Sequence, residues 1–224
     1  AAVVLLILGV AADFAAARVF EDRVSDVLQR EYELDRRPVV QVRDVPFLPR
    51  LATGRFEAID VAATDARTGQ LQAARLQVHL RDVRVPRDVL LGRPGRVTAA
   101  GADGQIELTE AEVNRLLADR LQGGSLEIGQ DEVRVRVPVQ LLGQEWDALV
   151  TGKLGARDGA VTFSPVEVRL GDGLDPGLGR EVASRFAFEV PLPELPAGVR
   201  LERVDTRPGT LVLSGRAGAV GGAA

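Results

Sequence analysis

The run DEVRVRVPVQLL, residues 131–142, alternates with a period of two. Val133, Val135, Val137, Val139 and Leu141 fall on one side, and Arg134, Arg136 and Gln140 on the other. Only an extended strand sends successive residues to opposite faces, so one sheet face must be buried and the other solvated. Pro138 lacks an N–H, which places it at a sheet edge or beside a bulge. The same period recurs in PVVQVRDV, in FEAIDVAATD through Ile59, Val61 and Ala63, and in LQAARLQVHLRDVRV through Leu76, Val78 and Leu80. EWDALVTGKL and AVTFSPVEVRL continue it, with Ser164-Pro165 shifting the phase as a bulge would. Two more strands are expected near 199–206 and 210–216. Long strands joined by short turns predict a curved antiparallel sheet.

Three segments change to the helical period, which makes the fold class α+β. Over residues 14–33, Phe20, Val24, Val27 and Leu28 share one stripe. Thr109 and Glu112 form a capping box ahead of Val113, Leu116, Leu117 and Leu121, and Gly123-Gly124 stops that helix. Asp175-Pro176 supplies an N-cap and a first-turn proline to a helix carrying Leu178, Val182 and Phe186. Residues 218–224 have nothing to bury and are expected to be disordered. No linker divides the body.

Composition narrows the function classes. Hydrophobic residues are 46% and charged residues 27%, so the body is globular, and with aromatics at 4% the core must rest on Val, Leu, Ile and Ala. A net charge of -4 argues against a general nucleic-acid binder. Residues 67–96 depart from this balance: seven arginines face only Asp82 and Asp88, a net of +5. With no cysteine there is no disulfide, thiolate chemistry or Cys-ligated metal. The uncharged opening AAVVLLILGVAA is shorter than the roughly 20 residues of a membrane span. Residues 1–12 are expected to be the remnant of a signal peptide or signal anchor of an exported chain.

A search for chemistry finds little. His79 is the only histidine and takes the polar face of its strand, between Gln77 and Arg81. No serine lies in a G-x-S-x-G elbow, and GRPGRVTAAG lacks the G-K-[ST] ending of a phosphate loop. Asp131-Glu132 begins a strand, while Glu110 and Glu112 open a helix, where acids suit the dipole. The expectation is no enzyme, no cofactor and no metal.

One connection is apolar. Residues 44–56, DVPFLPRLATGRF, set Phe47 and Leu48 between Pro46 and Pro49, followed by Leu51, Gly54 and Phe56. Loops run over the surface, so this one is the lip of a pocket, a plug for the core, or a contact to an apolar ligand. An apolar interior of this kind can be ordinary core or a groove for acyl chains, each buried CH₂ contributing about 0.8 kcal/mol.

The stretch VRDVPFLPRLATGRFEAIDVAATD resembles the Pro-Phe-Leu…Gly-Arg…Val signature of the LmeA-like family of actinobacterial phospholipid-binding proteins. VPLPELPAGVRLERVDTRPGTLVLSGRA is similar to that family's Leu-Pro-x-Leu-Pro-x-Gly ending, with Ala197 and Thr210 as departures. The resemblance implies a single lipid-binding domain over residues 13–217, outside the cytoplasm and either membrane-anchored or secreted into the cell envelope. It implies a half-barrel like that of tubular lipid-binding (TULIP-like) proteins, its sheet wrapped around the long helix. The implied ligand is a phospholipid, phosphatidylinositol-type lipids included, and the implied setting is envelope lipid or lipoglycan biogenesis. On that reading Phe47, Leu48, Leu51 and Phe56 line or gate the lipid groove. The basic stretch RVPRDVLLGRPGR is read separately, as a short helix or turn meeting a membrane surface. There Arg84, Arg87, Arg93 and Arg96 would reach head groups while Leu90 and Leu91 dip into the interface or stay in the core. A non-catalytic envelope scaffold and an envelope hydrolase are the alternatives.

Overall fold

The computed structural model describes residues 2–68, 71–90, 93, 95–121, 123–141, 144–170, 187–191 and 198–223. Its opening helix, α1 (Ala2–Glu31), leads to the short strand β1 (Val39–Val42) and the helix α2 (Phe47–Thr53). β2 (Arg55–Thr68), β3 (Leu71–Arg84) and β4 (Arg96–Thr109) are long antiparallel neighbours, with α3 (Arg87–Leu90) between the last two. After α4 (Glu110–Leu121) come β5 (Ser125–Ile128), β6 (Val133–Leu141), β7 (Gln144–Arg157), β8 (Ala160–Leu170) and β9 (Phe188–Pro191). β10 (Arg200–Arg207), β11 (Thr210–Ala217) and β12 (Val220–Ala223) close the chain.

These strands make two sheets where the alternation suggested one. The first runs β1-β2-β3-β4-β11-β10 with β12 also on β4, and the second runs β5-β6-β7-β8-β9. Strand length explains the division. Fourteen residues of β2, β3 or β4 extend for about 46 Å, several times the width of a helix. One helix cannot cover such a face. α1 covers one end through Ala16, Ala17, Phe20, Val24 and Leu28, packed on Val40, Phe56, Ile59 and Val83. The second sheet and α4 cover the rest, where Ala63, Leu108, Val113, Val133, Val150 and Phe163 form a second buried cluster. Val27, expected on the α1 stripe, is exposed.

Proline and glycine positions follow the backbone logic. β5 pairs with β6 only as far as Arg136, so Pro138 lies beyond the end of its neighbour and no ladder bond is lost there. The bulge foreseen at Ser164-Pro165 appears as the register shift that brings Thr151 to Glu167 and Gly152 to Pro165. β4 was not foreseen as a strand, and residues 218–224 were expected to be disordered. Instead Val220–Ala223 pair with Arg96–Ala99 of β4. The tail satisfies backbone groups of β4 that β11, whose pairing ends with Ala217 opposite Ala102, leaves open. The helix expected near residues 175–186 lies outside the described residues.

α4 locks the two sheets together. Thr109 Oγ1 accepts from the Glu112 N–H at 3.2 Å, the first half of the expected capping box. The Glu112 carboxylate turns away from the second half: it accepts from the Gln72 N–H at 2.8 Å and from Arg115 at 2.6 and 2.8 Å. Asn114 exchanges two bonds of 2.7 Å with the backbone of Leu126, tying α4 to β5. Hydrogen bonding from Arg115, outweighing burial and helped by the Gln72 N–H, holds the Glu112 carboxyl below its usual range. A carboxyl lowered by folding stabilises above its unfolded pKa, and that contribution is lost as pH falls through the folded one. Glu112→Gln should therefore cost about 1–2 kcal/mol at neutral pH. The gap from wild type should close as urea unfolding is repeated below the carboxylate range.

Candidate functional site

The apolar connection is a short helix. Pro46 takes the N-cap in extended geometry, and Pro49 falls in the first turn, where a missing N–H breaks no helical bond. Gly54 ends the helix at φ 66°, and a Cβ there would stand 2.3 Å from the Val85 carbonyl oxygen. Only glycine fits that closure. Two aspartates fasten it. Asp13 of α1 accepts from the N–H groups of Phe47 and Leu48 at 2.8 and 2.7 Å, satisfying donors that the first turn leaves free. Asp44, its side chain 1% exposed, lies 3.2 Å from Arg50 and accepts from the Glu57 N–H at 3.0 and 3.1 Å.

This helix sends its apolar residues in two directions. Phe47 is fully buried, its ring 5.5 Å from that of Phe20 and 5.9 Å from that of Phe56, with Phe20 and Phe56 5.4 Å apart. Leu51 packs partly buried against the same cluster. Leu48 is 41% exposed and Val45 beside it 75%. Three of the four residues read as lipid-lining thus meet under α1, and the fourth faces out. Asp13 and Asp44 escaped the sequence reading, although an acid two residues before the Pro46 cap was a usable signal.

The basic segment is spread over strand ends and a short helix. Arg84, Arg87, Arg93 and Arg96 are exposed. Arg93 pairs with Asp88 at 3.4 Å. Leu90 is partly buried and, with Val89, packs on the cluster under α1. Leu91 lies outside the described residues.

A second, polar feature crosses the outer face of the first sheet. It is a cleft of about 600 Å³ lined by Gln77, His79, Asp60, Asp103, Arg203 and Arg216 among others. Strand register aligns Asp60, His79, Asp103 and Arg216 in one row. His79 Nδ1 lies 2.5 Å from Asp60, which also meets Arg43. Burial raises the Asp60 carboxyl, but the His79 and Arg43 hydrogen bonds outweigh it and leave it below the usual carboxylate range. Arg216, 2.7 Å from Asp103, lowers that carboxyl too. Such cross-strand pairs stabilise a solvated sheet face. A smaller cleft of about 390 Å³ separates α1 from β1 around Glu21 and Arg37. Neither cleft is lined by Phe47, Leu48, Leu51 or Phe56. Among the described residues no three His, Asp or Glu side chains are grouped as metal ligands, and no helix is long and apolar enough to cross a membrane.

No curated protein and no solved structure matches the chain closely enough to count as similar. A family model of LmeA-like phospholipid-binding proteins matches residues 11–216, and the chain belongs to that LmeA-like phospholipid-binding family.

Proposed function

We propose that the protein holds the acyl chains of a phospholipid in the apolar region between α1, α2 and the first sheet, and passes lipid within the cell envelope. The observation that carries this reading is the Phe20-Phe47-Phe56 cluster beneath a short, separately fastened helix, in a chain of a phospholipid-binding family. The packed rings correspond to a closed, lipid-free state. Lifting α2 would expose an apolar bed, with Leu48 at its mouth and Leu51 and Phe56 along it. The half-barrel arrangement of tubular lipid-binding proteins is the fold reading that goes with this. Residues 1–12 act as signal peptide or anchor, and the setting is extracytoplasmic, at or near a membrane. Phosphatidylinositol-type lipids belong to the ligand class, and lipoglycan assembly is one pathway such a carrier would serve. No catalytic step is required.

Native mass spectrometry of protein purified without detergent tests the reading. The expected result is a population heavier by the mass of one phospholipid, released by chloroform and methanol. A bare protein that also fails to take up a short-chain phospholipid would leave the scaffold reading, in which the interior is core alone. Release of lysolipid or free fatty acid would favour a hydrolase.

A further inference from the structure

The stripe by which α1 packs on the sheet, Ala17, Phe20, Val24 and Leu28, continues at helical spacing through Phe14 and Val10 toward the N-terminus. There the residues are no longer covered: Phe14 is 57% and Val10 50% exposed. The apolar face of the helix therefore runs past the body it packs on. Asp13, one residue before Phe14, grips the start of α2, which brings the exposed Val45 and Leu48 to the same corner. Ala2 to Ala12 add no charge. A continuous exposed apolar patch marks a surface that something covers.

Charge identifies what covers it. Arg55 follows Gly54 directly, and the strand register sets it opposite Arg84. Like charges directly across a ladder repel. Both are exposed, and neither makes an ion pair among the described residues. Arg96, two residues before the Thr98 that pairs with Arg84, is likewise without an ionic partner there. Of the acids nearby, Glu57 and Asp44 are held by Arg50, and Asp88 by Arg93. Asp82, on β3 itself, and Asp13, which accepts from the first N–H groups of α2, are left without a cationic partner among the described residues. Packed arginines beside exposed apolar groups match one surface chemistry, a sheet of phosphates over hydrocarbon. Leu90, half-covered by the core, contributes less to it than the α1–α2 corner.

We propose that this corner docks on an anionic phospholipid bilayer, with Phe14, Val45 and Leu48 entering the interface and Arg55, Arg84 and Arg96 meeting phosphates. The docking rests on the phospholipid reading above and sets the mouth of the lipid bed against the membrane from which lipid is drawn.

Because the chain has no cysteine, a polarity-sensitive fluorophore can be placed singly on full-length Val45→Cys, Leu48→Cys and Val166→Cys variants. Val166 is 66% exposed on β8, in the second sheet. Vesicles of phosphatidylcholine with phosphatidylglycerol should shift the emission of the first two labels to the blue and leave the third unchanged. An Arg55, Arg84, Arg96→Gln triple variant should lose roughly tenfold to a hundredfold in vesicle affinity at low salt. Equal responses from labels at 45, 48 and 166, or wild-type affinity in a triple variant with an intact thermal transition, would overturn the proposal. Uptake of a monomeric short-chain phospholipid is measured alongside. Labels that respond to vesicles in a protein that takes up no monomer keep the docking and remove the lipid-holding reading. Uptake without any vesicle response does the reverse.

Discussion

Phe47→Ala is expected to cost about 3–5 kcal/mol, a fall in melting temperature of roughly 6–20 °C for a chain of this size. The ring is fully buried and touches two others, so its removal leaves a cavity that three fixed elements cannot close. Leu48→Ser, one residue on, should change stability by less than about 1 kcal/mol, because that side chain is already 41% exposed. The pair separates two roles that a double substitution would confound. If the segment gates lipid, Leu48→Ser slows uptake of a fluorescent phospholipid while the melting temperature holds. If it is only a plug, uptake follows the melting temperature, and Leu48→Ser is silent in both. A Phe47→Ala protein as stable as wild type would refute the packing argument itself.

The contrast between these neighbours shows where sequence is legible. Period-two runs located β2, β3, β6, β7, β8, β10 and β11, because alternation directly reports burial on one face. β4 sits at the centre of the first sheet and was missed. Its sequence RVTAAGADGQIELT carries Gly101 and Gly104, which weaken any strand signal. A Cβ on Gly101 would crowd only the end of the flexible Arg81 side chain on the neighbouring strand. α2 was read as a loop because two prolines in four residues suggest one, yet both occupy positions that a helix tolerates. Phe47, Leu51 and Phe56 were identifiable as apolar residues out of place. Their partner Phe20 was visible only as part of a stripe, and the contact spans 27 residues of sequence, as the numbering shows. The division into two sheets depends on which edges close, and periodicity carries no information about that.

Asp44→Ala should destabilise the protein by about 3 kcal/mol, more than its place in a connection suggests. The Asp44 side chain is 1% exposed, so its oxygens have little water to return to. They accept from the Glu57 N–H at 3.0 and 3.1 Å and from the Ala58 N–H at 3.5 Å. β1 stops at Val42 and pairs no further than Ile59, so no strand replaces those acceptors. A buried donor left without a partner costs about 1–3 kcal/mol, and bonds to a charged acceptor lie at the upper end. Arg50 contributes less to the loss, being 41% exposed and still paired with Glu57. Asp44→Asn keeps one acceptor oxygen and should lose about half as much. The consequence for lipid is opposite in sign to that for stability. With Asp44 gone, α2 is held by Asp13, by the exposed Arg50–Glu57 pair and by its own packing, so it should open more often and exchange bound lipid faster. Urea unfolding gives the first quantity, and transfer of a fluorescent phospholipid to acceptor vesicles gives the second. Unchanged stability would mean that Asp44 does not fasten α2. Lower stability with unchanged exchange would mean that α2 is not the element lipid must pass.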